Sequence, residues 1–133
     1  MKRLAALLAC CALAGCGSPS ADLFLVKRTG ADAKANLTLL VSDGGTVTCN
    51  GTEHEISGEL LLRARELERQ MSEQAELNLA LQAGPNAVLT YKVEMEAGTI
   101  AFSDTSRPLP RSFTELSVFT KDVSERVCGI DRT

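Results

Sequence analysis

Lys2-Arg3 precedes a run of uncharged, mostly apolar residues, Leu4 to Leu13, which closes on Ala14-Gly15-Cys16. The run is well short of the roughly 18 residues a spanning helix needs. A basic start, a short apolar centre and a small-residue end mark a secretory leader instead. This dictates what is left to fold: residues 1–15 are expected to be removed, and the rest folds outside the cytoplasm, where thiols oxidise. Lys2 and Arg3 leave with the leader. Twelve Lys and Arg then stand against seventeen Asp and Glu, and the net charge moves from −3 to −5. Such a surface does not attract nucleic acid or anionic headgroups, so no nucleic-acid partner is expected.

Leu13-Ala14-Gly15-Cys16 resembles the lipobox of bacterial lipoproteins at all four positions. Small residues before the cysteine let the peptide into a narrow protease site, and the exposed thiol takes the diacylglyceryl group. The resemblance implies a lipid on Cys16, palmitate-type acylation, and attachment to the cell membrane on its extracytoplasmic side. Stable anchoring needs more than one acyl chain, because no basic or amphipathic second anchor is evident. Residues 16–21, rich in Gly, Ser and Pro, form a tether. Residues 22–133 are expected to form one globular domain.

The five cysteines sort themselves by this scheme. Cys10 and Cys11 lie in the leader, and Cys16 is consumed by lipid. Cys49 and Cys128 remain as an even pair in an oxidising compartment and are expected to form a disulfide. Closing a loop of about 80 residues contributes about 4–5 kcal/mol in the chain-entropy model. A redox or metal role fits less well, because the chain has no C-x-x-C and a single histidine.

Hydrophobic periodicity gives the elements. Leu23-Phe24-Leu25-Val26 reads as a buried strand that ends at Lys27-Arg28-Thr29-Gly30, with a loop through Asn36. Leu37, Leu39 and Val41 alternate with Thr38, Leu40 and Ser42 until Asp43-Gly44-Gly45. A three-residue loop there sets Val41 opposite Val47 and Leu39 opposite Cys49. Asn50 to Glu55 reads as a polar connection. Ser57 caps a first helix, with Ile56 and Leu61 as a staple and Leu60, Ala64, Leu67, Met71 and Ala75 on one stripe. The helix is expected to stop near Glu73, ahead of an irregular lead containing Leu77, Leu79 and Leu81. Leu89, Tyr91, Val93 and Met95 form one face of a strand. An Ala97-Gly98 turn would set Met95 opposite Ile100 and Val93 opposite Phe102. Ser112-Phe113-Thr114-Glu115 reads as a capping box for a second helix, striped by Phe113, Leu116, Phe119, Val123, Val127 and Ile130 and closed by Gly129. The fold class is therefore α+β. An antiparallel sheet of about five strands, in the order β-β-β-α-β-β-α, carries two helices on one face.

The inventory for chemistry is poor. There is no phosphate-binding glycine loop, no G-x-S-x-G and no H-E-x-x-H. His54 between Glu53 and Glu55 offers a fragment of a metal site or a general base. A zinc site needs further ligands, and neither a second histidine nor a spare thiol exists, so no metal and no cofactor are expected. Asp104-Thr105-Ser106 holds a hydroxyl beside a carboxylate, but turns use the same residues. No catalytic residue is assigned. Two features suit binding: the stiff loop Arg107-Pro108-Leu109-Pro110-Arg111, and Leu62 on the charged side of the first helix.

Ala21-Asp22-Leu23-Phe24, Leu39 to Val47, Phe102-Ser103-Asp104-Thr105-Ser106 and Val127-Cys128-Gly129 resemble the small lipoproteins of unknown function from high-GC Gram-positive bacteria. This resemblance implies location and no activity. The element order, with a Tyr-bearing strand turning into a second strand before a final helix, is also similar to emfourin-type protein inhibitors of metalloproteases. The lipid anchor and the cysteine pair depart from that family, and no inhibitory residue carries over. The expected function is a non-enzymatic, membrane-anchored envelope domain binding a protein partner, with protease inhibition as one specific form. The competing reading is a small extracytoplasmic hydrolase or ligand-handling protein using His54 and nearby carboxylates. Oligomeric state is not legible.

Overall fold

Asp22–Gly30 is the strand around which the sheet is laid down. The computed structural model describes residues 21–131. The predicted leader, Cys16 and the tether through residue 20 lie outside them. Along the chain come β1 (Asp22–Gly30), β2 (Leu37–Ser42), β3 (Thr46–Cys49), β4 (Thr52–Glu55), α1 (Gly58–Glu76), β5 (Leu89–Met95), β6 (Gly98–Ser103) and α2 (Arg111–Arg126). A short 3-10 turn, Ala33–Ala35, joins β1 to β2. The strands form one antiparallel sheet in the order β4-β3-β2-β1-β5-β6, with a hairpin on each side of β1. The class is α+β, as expected, with six strands.

Strand alternation sends Phe24, Val26, Leu39, Val41, Val47, Tyr91, Val93, Ile100 and Phe102 to one face, where all are buried. Both helices cover that face. Ala64, Leu67, Met71 and Ala75 of α1 and Phe113, Leu116, Phe119 and Val123 of α2 complete the core. Each large side chain among them contributes about 1.5–3 kcal/mol by leaving water. The opposite face stays wet, and Glu94 there lies 3.2 Å from both Lys27 Nζ and Lys92 Nζ. Its carboxyl is held below the ordinary range, first by the hydrogen bond from Lys27 and then by that from Lys92.

The helices run across the strands in opposite directions. α1 starts beside the β2–β3 turn, where Gly45 meets Leu61, and ends against Gly98 at the start of β6. Gly98 has φ +150°, and a Cβ there would collide with the Ala75 carbonyl oxygen, so this approach needs glycine. α2 starts over β6, where Phe113 stacks on Phe102 at 4.9 Å, and returns toward β3. Its end is pinned by the expected disulfide: Cys49 and Cys128 are joined, with an S–S length of 2.06 Å. Gly129, at φ +69°, turns the chain so that the Ile130 N–H donates to the Ser124 carbonyl.

The first hairpin has the expected register, Val41↔Val47 and Leu39↔Cys49. Ser57 accepts from the Leu60 N–H, as a cap should. Other expectations are corrected. The polar connection is strand β4, because Asn50 and Gly51, at φ 47° and 91°, make a two-residue turn that pairs Cys49 with Thr52. β1 continues to Gly30 and buries Arg28 to 2% exposure. The helix expected to end near Glu73 continues to Glu76, and Asn78, at φ 48°, breaks it. β5 and β6 pair Met95↔Gly98, Val93↔Ile100 and Tyr91↔Phe102, two residues from the expected register. A slip of two conserves which face each side chain takes, so apolar matching does not distinguish the two pairings. The stacking of Tyr91 on Phe102 at 4.9 Å and the fit of Gly98 against α1 go with the observed one. The capping box is absent: α2 starts at Arg111 after Pro110, Ser112 is buried, and Glu115 accepts from Arg111 instead.

Candidate functional site: the outer face of α2

Four large apolar side chains are exposed among the described residues, and they are unevenly spread. Leu62 on α1 is 65% exposed, Val118 on α2 50%, Val88 before β5 58% and Leu77 after α1 74%. Leu62 and Val118 face a groove of about 530 Å³ between the two helices, floored by Leu67 and edged by Arg63, Glu66 and Thr114. On the other side of α2 lies a second hollow of about 300 Å³, walled by Leu89, Tyr91, Leu109, Ser117 and Lys121. Thr114 and Val118 belong to both hollows, so Val118 stands as a ridge between them. The helical repeat explains this. Positions 113, 116, 119 and 123 face the sheet, which turns 114, 118 and 121 outward.

Two features singled out in the sequence therefore meet at one place. Leu62 lines the first hollow, and Leu109, from the proline loop, lines the second. The rest of the loop frames the site without lining it. The Arg107–Pro108 bond is cis, and Arg107 Nη1 donates to the carbonyls of Ser106 at 2.6 Å and Asp104 at 3.3 Å. Pro108 is exposed, Pro110 is half-buried at the start of α2, and Arg111 donates to Glu115 at 2.8 Å. Val118 was not singled out, although the argument that isolated Leu62 applies equally to an aliphatic residue outside the stripe of α2.

Most charges around the hollows are paired within the domain, and the Asp104 carboxylate, which lines the second hollow, accepts from the Val88 N–H at 3.1 and 3.3 Å. Arg63 Nη1 lies 3.1 Å from Asp122 and its guanidinium lies 5.7 Å from the centre of the Phe119 ring. Glu66 accepts from Arg69 and Gln70, and these bonds, Arg69 first, hold its carboxyl below the usual range. Lys121 lies 4.0 Å from Glu125. The wall of the second hollow also includes Arg28, buried, donating Nε to the Ala35 carbonyl at 2.8 Å and Nη2 to Ser124 Oγ at 3.3 Å.

The residues considered for chemistry are arranged otherwise. His54 pairs with Val47 on β4, so alternation sends it to one face of the sheet and Glu53 and Glu55 to the other. Among the described residues no group of three or more His, Cys, Asp or Glu is placed to hold a metal ion. Ser106 is buried, accepts from the Ser103 N–H at 3.0 Å and donates to the Gln82 carbonyl at 2.8 Å, which ties the segment before β5 to the end of β6. No helix among the described residues is long and apolar enough to cross a membrane.

The arrangement defines a two-layer α+β domain with an apolar, twin-hollowed helix face. No protein-family model, no curated protein and no solved structure matches the chain.

Proposed function

We propose that the chain is an envelope lipoprotein, held on the extracytoplasmic side of the cell membrane by lipid on Cys16, and that it binds a protein partner without catalysing a reaction. The anchor reading rests on Leu13-Ala14-Gly15-Cys16 and the leader before it. The binding reading is carried by one observation: Leu62 and Leu109 flank the same exposed ridge, Val118, on a face whose charges already have partners. Aliphatic side chains left in water beside open hollows are what a docking segment covers. Protease inhibition is one specific form of this activity.

Crosslinking of the lipidated protein in its own envelope tests the reading. Leu62→Asp with Val118→Asp should abolish the crosslinked complex while the circular dichroism of the domain is retained, and His54→Ala should leave the complex intact. A complex unaffected by the double substitution contradicts the site. An activity on small substrates that disappears in folded His54→Ala contradicts the non-catalytic reading.

A further inference from the structure

The two edges of the sheet are finished differently. The turn through Glu96 and Ala97 closes on a bonded pair, Met95 and Gly98. Bonded and open pairs alternate along an antiparallel ladder, so Thr99, Ala101 and Ser103 turn their N–H groups away from β5. The chain meets all of them. Thr99 donates to Asn78 Oδ1 at 3.1 Å, Ala101 to the Leu79 carbonyl at 3.0 Å and Ser103 to Ser106 Oγ at 3.0 Å. Leu81 returns a bond to the Ala101 carbonyl at 2.8 Å. At the other edge, the Ile56 N–H donates to the Gly45 carbonyl at 3.0 Å, which makes His54 and Thr52 the bonded partners of Val47 and Cys49. Glu53 and Glu55 then point N–H and carbonyl away from β3. β4 is the last strand of the sheet, and no described residue meets these groups.

Charge decides what can add to this edge. Alternation puts the side chains of Glu53 and Glu55 on the wet face, where both are exposed and neither has an ion pair among the described residues. Glu53 shares a polar hollow of about 370 Å³ with Asp22, Ser42 and Thr48, and Asp22 is equally without a cation. A second copy pairing β4 with β4 would set these glutamates opposite one another at about 5 Å, which is destabilising. Anionic headgroups meet the same repulsion. A strand with Lys or Arg opposite Glu53 and Glu55 gains two cross-strand charge pairs and satisfies the open backbone groups as well.

We infer that β4 takes an added antiparallel strand, an extended segment of another envelope protein with basic residues at alternate positions, opposite Glu53 and Glu55. The inference rests on the anchored, partner-binding reading above for where the partner is met, and adds a second surface and the chemistry of the segment. A short, acidic edge guards against pairing with its own kind and selects the opposite charge.

The capped peptide Thr-Lys-Thr-Lys-Thr, titrated into the isotope-labelled full chain in detergent, tests this. It should shift the Glu53 and Glu55 amide resonances saturably, and more than those of α2. The lysine amides face β4 in this pairing and the threonine amides face water. N-methylation of the lysine amides should therefore weaken binding at least about tenfold, and N-methylation of the threonine amides should not. Glu53→Lys with Glu55→Lys should cost at least about tenfold too, in a chain whose spectrum is otherwise retained. The methylated peptides leave the protein untouched, so that arm stands whether or not the variant folds. Unshifted Glu53 and Glu55 amides, or binding that tolerates methylated lysine amides, would overturn the inference. So would undiminished binding to the folded double variant. Alkyne-fatty-acid labelling in cells separates the two levels. An unlabelled chain defeats the anchored reading and with it the envelope partner, whereas a labelled chain whose edge ignores the peptide defeats only this inference.

Discussion

Arg28 shows how a single residue can escape a reading of the sequence and still organise the structure. In sequence it stands with Lys27, Thr29 and Gly30, a polar cluster that reads as the end of a strand. In the fold, alternation from Phe24 and Val26 carries it to the core face, where Ala35 and Ser124 receive its N–H groups. A buried guanidinium of this kind holds the β1–β2 connection and the last turn of α2 together. Arg28→Met keeps most of the volume and leaves the Ala35 carbonyl without its donor. It should cost about 2–4 kcal/mol, read as a lower urea midpoint with unchanged slope. Glu94 gives the complementary case on the wet face. Its folded-state carboxyl is lowered by Lys27 and Lys92, so its contribution is present above the unfolded-state carboxylate range and is lost as pH falls through the lowered folded value. Wild type should therefore lose more stability than Glu94→Gln on titration from neutral pH into the acid range. Equal losses in thermal melts would refute the linkage. The loss should be small, because the group is exposed.

Among the elements, what the sequence revealed and what it hid have identifiable causes. The first hairpin was legible because Asp43-Gly44-Gly45 fixes both turn length and register. β4 was hidden because Thr52-Glu53-His54-Glu55 has almost no apolar content. Asn50-Gly51 was nevertheless the strongest turn signal available, and reading it would have paired Cys49 with Thr52. The register of β5 and β6 depended on Gly98 meeting α1, a contact no local pattern contains. The site was half legible. Leu62 stood out against a charged helix face, and the proline loop stood out by stiffness. Their convergence on Val118 required the crossing of α1 and α2. The disulfide belongs to this scale, since it ties the end of β3 to the end of α2 across 79 residues. Cys49→Ala with Cys128→Ala should lower stability by about 4–5 kcal/mol, less if the reduced chain keeps residual structure. Chemical denaturation of the oxidised and doubly substituted domains reads this directly, and matching midpoints would contradict it.

For the whole molecule, the leader, the cysteine pair and the two-layer domain form one account. A domain of about 110 residues with few aromatics has a limited core, and the Cys49–Cys128 disulfide compensates for it. In the proposed reading, the export route under which this disulfide forms also provides the acyl anchor. In that reading the anchor joins the sheet at the Asp22 end of β1. Every functional statement therefore depends on the chemistry at one sulfur atom. Intact mass spectrometry of the N-terminal peptide from growing cells tests it most directly. The account predicts a chain that begins at Cys16 and carries a diacylglyceryl group. A chain that begins at Met1, or one cleaved elsewhere with Cys16 unmodified, would contradict it.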